Sequence, residues 1–502
     1  MSPKTMTTTP APTPVDTRAL VWKIDVHLVP VLCVLYLMAF LDRVNISNAA
    51  LYGLQTDLHM SSTQYSTALV IFFVPYILFE IPSNILLKKL SPNVWLSLCM
   101  GMFGITTMCQ GLVSSYGGLL TTRFFLGLFE AGMFPGCFYL LAMWYRREES
   151  MKRYTFFFCS TTLAGAFGGL LASAIGQMDG ARGWRGWRWV FIIEGVATVV
   201  IAGFLFFLIP SFPEAARFLT EAEREVVKAR LADDVGESHY EEDGQDLNKG
   251  VRRRKVQDVL AVFKDYKIFL GGLMYFGLIV PAYGYAYFAP TIIKGLGYTS
   301  IQAQLHSVPP WACAFFFAMI TATLSDHLRH RYLFSVFTGA LAAVGFIMLL
   351  TIHTNLHAMY AALFLVTCGA YTSMPILVCW FNTNLAGHTR RSVGSAWQVG
   401  FGNVGGIIAS YSFPSEDAPR YTRGYALALA FVCLSIVAST AYCVGITLEN
   451  KRRDKLQGVT GIDTERVSIG SEKASEKLEE EKERERERGR MGDLDVSYRY
   501  LR

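Results

Sequence analysis

LVPVLCVLYLMAFLDRVNISNAA, residues 28–50, is long and apolar enough to cross a bilayer as one helix, yet it carries Asp42 and Arg43 in its second half. LLTTRFFLGLFEAGMFPGCFYLLAMWY, residues 119–145, does the same with Arg123 and Glu130. About 20 apolar residues suffice to span the hydrocarbon core as helix. A charge near the bilayer centre costs about 2.5–3.5 kcal/mol on insertion scales, so charges placed there mark a working site. Two acids beside two arginines can move a proton and hold an anion.

Outward from these stretches the same pattern repeats. Apolar spans fall at about 28–50, 65–87, 94–114, 118–144, 154–177, 188–210, 268–290, 301–325, 332–352, 357–383, 392–413 and 422–447. A long polar segment separates the sixth from the seventh, which is the two-half layout of many secondary transporters. The expected fold is therefore an all-α membrane protein, with twelve transmembrane helices in two six-helix halves. The segments are a disordered N-terminus (1–27), a first half (28–210), a central loop (211–267), a second half (268–447) and a charged tail (448–502). Within the central loop, EAARFLTEAEREVVKARL has helical spacing and should lie on the membrane surface or in water. In the tail, SEKASEKLEEEKERERERGR mixes signs without an apolar stripe and reads as solvated.

Composition agrees. The 502 residues are 52% hydrophobic and only 17% charged, with mean hydropathy +0.31. A soluble chain carries about 25% charged residues. The net charge of +6 does not indicate nucleic acid, because the basic residues sit in short loops between apolar runs. The cysteines all fall in apolar spans without a CxxC pair, so neither disulfides nor a metal site is expected. No nucleophile–base pair or cofactor loop appears, which argues against an enzyme. The N-terminus is polar and rich in Pro and Thr, so the first span is expected to act as the targeting signal.

Orientation follows from loop charge. With the N-terminus inside, the inner loops hold Lys88, Lys89, Arg146, Arg147, Lys152, Arg153, Arg329, Arg331, Arg390 and Arg391. The opposite loops hold Arg182, Arg185, Arg188, Lys294, Arg420 and Arg423. This bias places both termini in the cytoplasm.

Arg123 and Glu130, seven residues apart, share one helix face about 10 Å apart. The first and fourth spans run antiparallel, so one central cavity can collect all four charges. Low dielectric favours the neutral acid, whereas a neighbouring guanidinium favours the carboxylate. Asp42 and Glu130 are thus proton-site candidates. Arg43, which forks onto carboxylates, is the anion candidate. Arg123 is expected to hold Glu130 ionised. The alternative is a set of ion pairs fixing two helices together. Glu80 and Glu194 lie nearer helix ends and are read as structural.

GAFGGLLASAIG (165–176) and GFGNVGGIIAS (400–410) are small-residue helix faces that permit close approach. Asn403 in the second is either a link between helices or a substrate hydrogen-bond donor. Among cavity-side aromatics, Tyr76 and Trp380 are taken as substrate walls, with Tyr283, Tyr287 and Trp397 as further candidates.

These residues carry a resemblance. LDRVNISNAAL (41–51), FEIPSNILLKKLSPNVWL (79–96), RFFLGLFEAGMFPGCFYLLAMWY (123–145), GWRWVFIIEG (186–195), FPEAARFLTEAER (212–224), GNVGGIIASYSF (402–413) and APRYTRGYAL (418–427) resemble the anion:cation symporter branch of the major facilitator superfamily. The fungal allantoate permease family, with its allantoate, nicotinate and pantothenate transporters, is the nearest group. The resemblance implies Arg43 on the substrate carboxylate, Asp42 and Glu130 in proton coupling, and Arg123 as modulating partner. It also implies a conformational latch at LSDHLRHR (324–331), from Asp326, Arg329 and Arg331, whereas Leu87 replaces the corresponding acid of the first half. The expected protein is a monomer in a fungal plasma membrane, importing a small monocarboxylate with protons and needing no cofactor. Export of a carboxylated secondary metabolite and a nutrient-sensing transceptor are the alternatives.

Overall fold

The computed structural model describes residues 16–235, 262–328, 330–385, 388–464 and Tyr500. The regular structure described is helical. The first half contains α1 (Thr17–Leu51), a single turn α2 (Leu54–Asp57), α3 (Ser62–Lys89), α4 (Pro92–Gln110), α5 (Tyr116–Glu130), α6 (Met133–Trp144), α7 (Arg147–Ile175) and α8 (Gly186–Leu208). Helix α9 (Glu221–Val235) follows in the central loop. The second half contains α10 (Tyr266–Gly295), α11 (Ser300–Leu328), α12 (Arg331–Thr351), α13 (Leu356–Thr383), α14 (His388–Tyr411) and α15 (Thr422–Thr464).

Among the described residues, ten segments are long and apolar enough to cross a membrane, with α5 and α6 counted as one span broken at Ala131–Gly132. Helices α4 and α14 fall outside that set, and they pack as the third and eleventh members of the bundle. Their composition explains this: α4 carries two threonines and a glutamine, and α14 is rich in glycine, serine and basic residues. Large apolar side chains point outward from the bundle, Phe207 at 83% exposure and Ile320 at 66%, as expected of a surface that meets lipid rather than water.

Within the first half α1 packs on α7 and α8, α4 on α8, and α3 on α5. Within the second, α12 packs on α13, and α10 on α14 and α15. The halves meet where α7 lies on α11, α3 on α14 and α1 on α10. The glycine faces serve these contacts. A side chain at Gly165 would run into Trp311, and one at Gly406 into the ring of Phe73. Hydrogen bonds from Ser47 to the Ala286 carbonyl, from Ser300 to the Leu51 carbonyl, and between Thr67 and Tyr411 join the halves on the side where α1 ends.

Helix α1 starts at Thr17 rather than near residue 28. Asp16 caps it by accepting from the Arg18 backbone N–H. Its first turns are tied down by ion pairs from Arg153 to Asp25 at 2.7 Å and from Lys23 to Glu223 at 2.8 Å. His27 stacks on Phe218 at 4.6 Å. Residues 17–27 are thus ordered by partners far away in sequence. The helical spacing read in the central loop corresponds to α9, which begins at Glu221, and α15 continues to Thr464, past residue 448. The 471–490 charge run lies outside the described residues.

Candidate functional site

Arg43 sits in α1 where it faces α5 and α10, and it is 2% exposed. Its Nε donates to Glu130 Oε1 at 3.0 Å, and Nη2 donates to the same oxygen. Its Nη1 donates to the hydroxyl of Tyr283 on α10. The guanidinium also lies over the rings of Phe72 and Tyr76, each 5.0 Å away, and of Tyr283 at 5.6 Å. Cation–π contacts of this kind gain strength when desolvated. One cation is thus held by the carboxylate of one half and the phenol of the other.

Local sequence explains the arrangement. Phe72 and Tyr76 are four residues apart on α3, and Tyr283 and Tyr287 are four apart on α10, so each pair shares a helix face. Tyr283 and Tyr287 stack at 5.5 Å, and Phe73 meets Tyr283 edge-on at 5.3 Å. Gly127 lets α5 approach α3, since a Cβ there would collide with the Phe72 carbonyl. That approach brings Glu130, the last residue of α5, beside the aromatic face of α3. Glu130 Oε2 has no hydrogen-bond partner, which leaves one carboxylate oxygen free to take a proton.

Arg123 is placed differently from expectation. Its Nε donates to the Ala68 carbonyl at 3.2 Å and its Nη1 to the Arg43 carbonyl at 3.3 Å. Arg43, not Arg123, makes the hydrogen-bonded ion pair with Glu130. Fully buried and 5.3 Å from the Phe72 ring, Arg123 binds α1, α3 and α5 together through backbone carbonyls. Its Nη2 remains without a partner.

Asp42 also departs from the common-cavity expectation. Successive helical residues point about 100° apart, so with Arg43 turned to the seam Asp42 turns into the first half. It is fully buried beside Thr107 of α4 and Thr198 and Glu194 of α8. Its carboxylate faces the Thr107 and Thr198 hydroxyls and makes no ion pair among the described residues.

Of the other expected site residues, Tyr76 lies against Arg43, as described. Asn403 is buried in α14 between Gly402, which passes Tyr275, and Gly406, which passes Phe73. Its glycine neighbours thus pass α10 and α3. Trp380, expected as a substrate wall, is instead packed within the second half, between Tyr442 at 5.0 Å and Tyr332 at 6.1 Å. Trp397 packs on Phe401, Phe263 and Phe269. Of the latch, Arg331 donates to Thr383 and so ties α12 to α13, while Arg329 and the side chain of Asp326 lie outside the described residues.

Sequence reasoning missed Phe72 and the hydrogen-bonding part played by Tyr283; their four-residue spacing with Tyr76 and Tyr287 was the available signal. It also undervalued Glu80. That side chain is buried with both oxygens unpaired, one turn from Tyr76, where Gly400 of α14 passes it.

The chain is similar to many fungal transporters. It is 36% identical over 434 residues to the MFS transporter prlL of Fungal sp. (strain NRRL 50135), covering 84% of this chain and 85% of that protein. It is 31% identical over 475 residues to the major facilitator-type transporter hxnP of Emericella nidulans, covering 92% and 93%. Among solved structures, the proton:xylose symporter XylE bound to 6-bromo-6-deoxy-D-glucose aligns with a TM-score of 0.63 at 13% identity, over 85% of this chain and 95% of that one. An inward-facing, occupied bacterial homologue of the human lysosomal transporter Spinster aligns with a TM-score of 0.61 at 15% identity, over 84% and 96%. Those likenesses show the fold. The relatives are transporters rather than enzymes, and the Major Facilitator Superfamily model matches residues 32–442. The twelve-helix bundle, its buried charges and these matches agree: this multi-pass membrane protein is a secondary transporter and belongs to the Major Facilitator Superfamily.

Proposed function

We propose that the protein imports a small organic monocarboxylate together with protons, by alternating access, in the manner of the fungal allantoate permease family. The observation that carries this reading is the buried guanidinium of Arg43, shared between Glu130 of one half and Tyr283 of the other. A substrate carboxylate needs the fork that Glu130 now occupies. Protonation of Glu130 at its unpaired oxygen would weaken the pair and free Arg43 for the anion. Loss of the substrate would leave a buried arginine unpaired, a costly state that recapture of the Glu130 carboxylate relieves.

The aromatic rings of Phe72, Tyr76, Tyr283 and Tyr287 suit a compact or planar acid such as nicotinate or allantoate, with Asn403 available as a polar contact. Arg123 positions the backbone of Arg43 and so tunes the site. The interdomain hydrogen bonds on the side where α1 ends support a bundle that closes at one face while the other can part. Lys and Arg loop bias supports cytoplasmic termini, and the membrane proposed is the plasma membrane. Arg331 and its neighbours would brace the inner end of the second half.

The test is uptake of radiolabelled vitamins, ureides and other carboxylates by cells expressing the chain at two pH values, beside Arg43→Ala. The variant should reach the membrane and fail to take up the carboxylate that the wild type carries. Full uptake by Arg43→Ala would sink the assignment.

A further inference from the structure

A second polar cluster lies inside the first half, on the other side of α1 from the guanidinium. Asp42 and Asn45 of α1, Thr107 and Gln110 of α4, and Glu194 and Thr198 of α8 are each no more than 2% exposed. The Thr107 and Thr198 hydroxyls serve the Asp42 carboxylate and the Asn45 amide serves Glu194, and neither acid has an ion-pair partner among the described residues. Two buried acids held by neutral partners alone are unusual, because buried charges are ordinarily paired. Glycine builds the enclosure. A Cβ at Gly104 of α4 would press on Thr198, and one at Gly195 of α8 would strike the backbone of Met108, so the two helices cross in close contact. That crossing sets Thr107 and Thr198 beside Asp42, and α1 brings Asn45 beside Glu194.

Two ionised carboxylates in such surroundings would repel each other without solvent to screen them. The nearest base does not relieve them, because Arg43 is bound to Glu130 and Tyr283. Other charged groups on the packed helices are also accounted for. Glu130 of α5 acts on Asp42 as another negative charge. Arg188 of α8 lies six residues before Glu194, at the helix start, where it bonds Asp57 and the Gly111 and Val113 carbonyls. Helix α7 brings no acid or base along residues 154–175, and α10 presents the phenols of Tyr283 and Tyr287 to Arg43's side. The acids therefore need a counter-charge that the chain does not supply.

We propose that Asp42 and Glu194 form a proton-holding pair within the first half, separate from the Arg43 anion site, served by Asn45, Thr107, Gln110 and Thr198. This rests on the proton-coupled reading above and adds Glu194 to it. One proton bridging the pair leaves one negative charge, and a second neutralises it. The hydroxyls and amides can each donate or accept, so they accommodate either state. Asp42 adjoins Arg43 in the chain, so loading of the pair is transmitted to the anion site through α1 itself.

The experiment is infrared spectroscopy of the purified full-length protein during pH titration, following the carbonyl stretch of protonated carboxylic acid. Glu194→Gln should shift the pH at which that signal appears, because Asp42 loses its like-charged neighbour. Asp42→Asn is the mirror test on Glu194 and serves if Glu194→Gln fails to fold. The double variant should lose the part of that signal which shifts in the single variants, leaving the contribution of other buried acids such as Glu130 and Glu80. Wild-type titration in both single variants, or a double variant whose signal equals that of the wild type, overturns the pair. A signal that responds to sodium chloride against choline chloride, but not to pH, marks a metal cation site and overturns it as well. Arg43→Ala separates the two readings: if only the anion assignment is wrong, carboxylate uptake survives in that variant while the Asp42–Glu194 titration still moves in Glu194→Gln.

Discussion

Arg43 of α1 and Tyr283 of α10 join the two halves of the transporter through one hydrogen bond, donated by the guanidinium to the phenol oxygen at the buried seam. A change in what the guanidinium bonds is therefore felt by both halves at once.

Tyr283→Phe keeps the ring that stacks on Tyr287 and removes only the hydroxyl. A hydrogen bond to a charged group contributes about 1.5–3 kcal/mol, so half-saturation for the carried anion should rise by roughly tenfold or more. Concentration-dependent uptake measures this, with surface expression as the control.

Glu130→Gln places a permanently neutral group at the carboxylate's position. Acceleration of uptake by an inward proton gradient should vanish, while exchange of internal for external anion at equal pH should persist. Paired gradient-driven and exchange assays in the same vesicles distinguish the outcomes. An unchanged gradient response rules out Glu130 as the coupling acid.

Gly127→Ala forces a methyl group against the Phe72 carbonyl and should part α5 from α3. Overpacking of this kind costs about 1–3 kcal/mol. The purified variant should unfold at lower temperature than the wild type. Gly117→Ala on the same helix, where a Cβ meets nothing within 4 Å, should leave unfolding nearly unchanged.

Docking of α9 on α1 should depend on acid pH. The Lys23 ammonium, with the Thr220 backbone and hydroxyl, holds the Glu223 carboxyl below its ordinary value of 4.5. A group depressed in the folded state stabilises it above its unfolded pKa and loses that contribution as pH falls through the folded value. Protection of the α9 amides, taken relative to their intrinsic exchange rate at each pH, should therefore fall as pH drops well below 4.5, and Glu223→Gln should remove the dependence. The pair is partly exposed, so the effect should stay within about 1 kcal/mol.

Particular residues show how much was legible in the chain. The helices of the two halves, the burial of Arg43 and Glu130 within their spans, and the closeness allowed by the 165–176 and 400–410 glycines all follow from hydropathy, charge cost and side-chain size. The partner of Glu130 did not: seven-residue spacing pointed to Arg123, but Arg123 turns to the Ala68 and Arg43 carbonyls and leaves the carboxylate to α1. Trp380 had the composition of a pocket wall, yet Tyr332 and Tyr442 enclose it. Glu194 was read as structural from its nearness to a helix end, and only the crossing of α4 and α8 sets it beside Asp42.

The amino-acid sequence by itself determined a two-half helical membrane protein with costly charges in its first and fourth spans, because the price of burying charge and the length of a bilayer-crossing helix are local properties. Tertiary structure alone decided which charge meets which. Adjacent residues on one helix point about 100° apart, so Asp42 and Arg43, neighbours in the chain, enter different environments. That angle sends Arg43 to the seam with Glu130 and Tyr283, and Asp42 inward to Glu194.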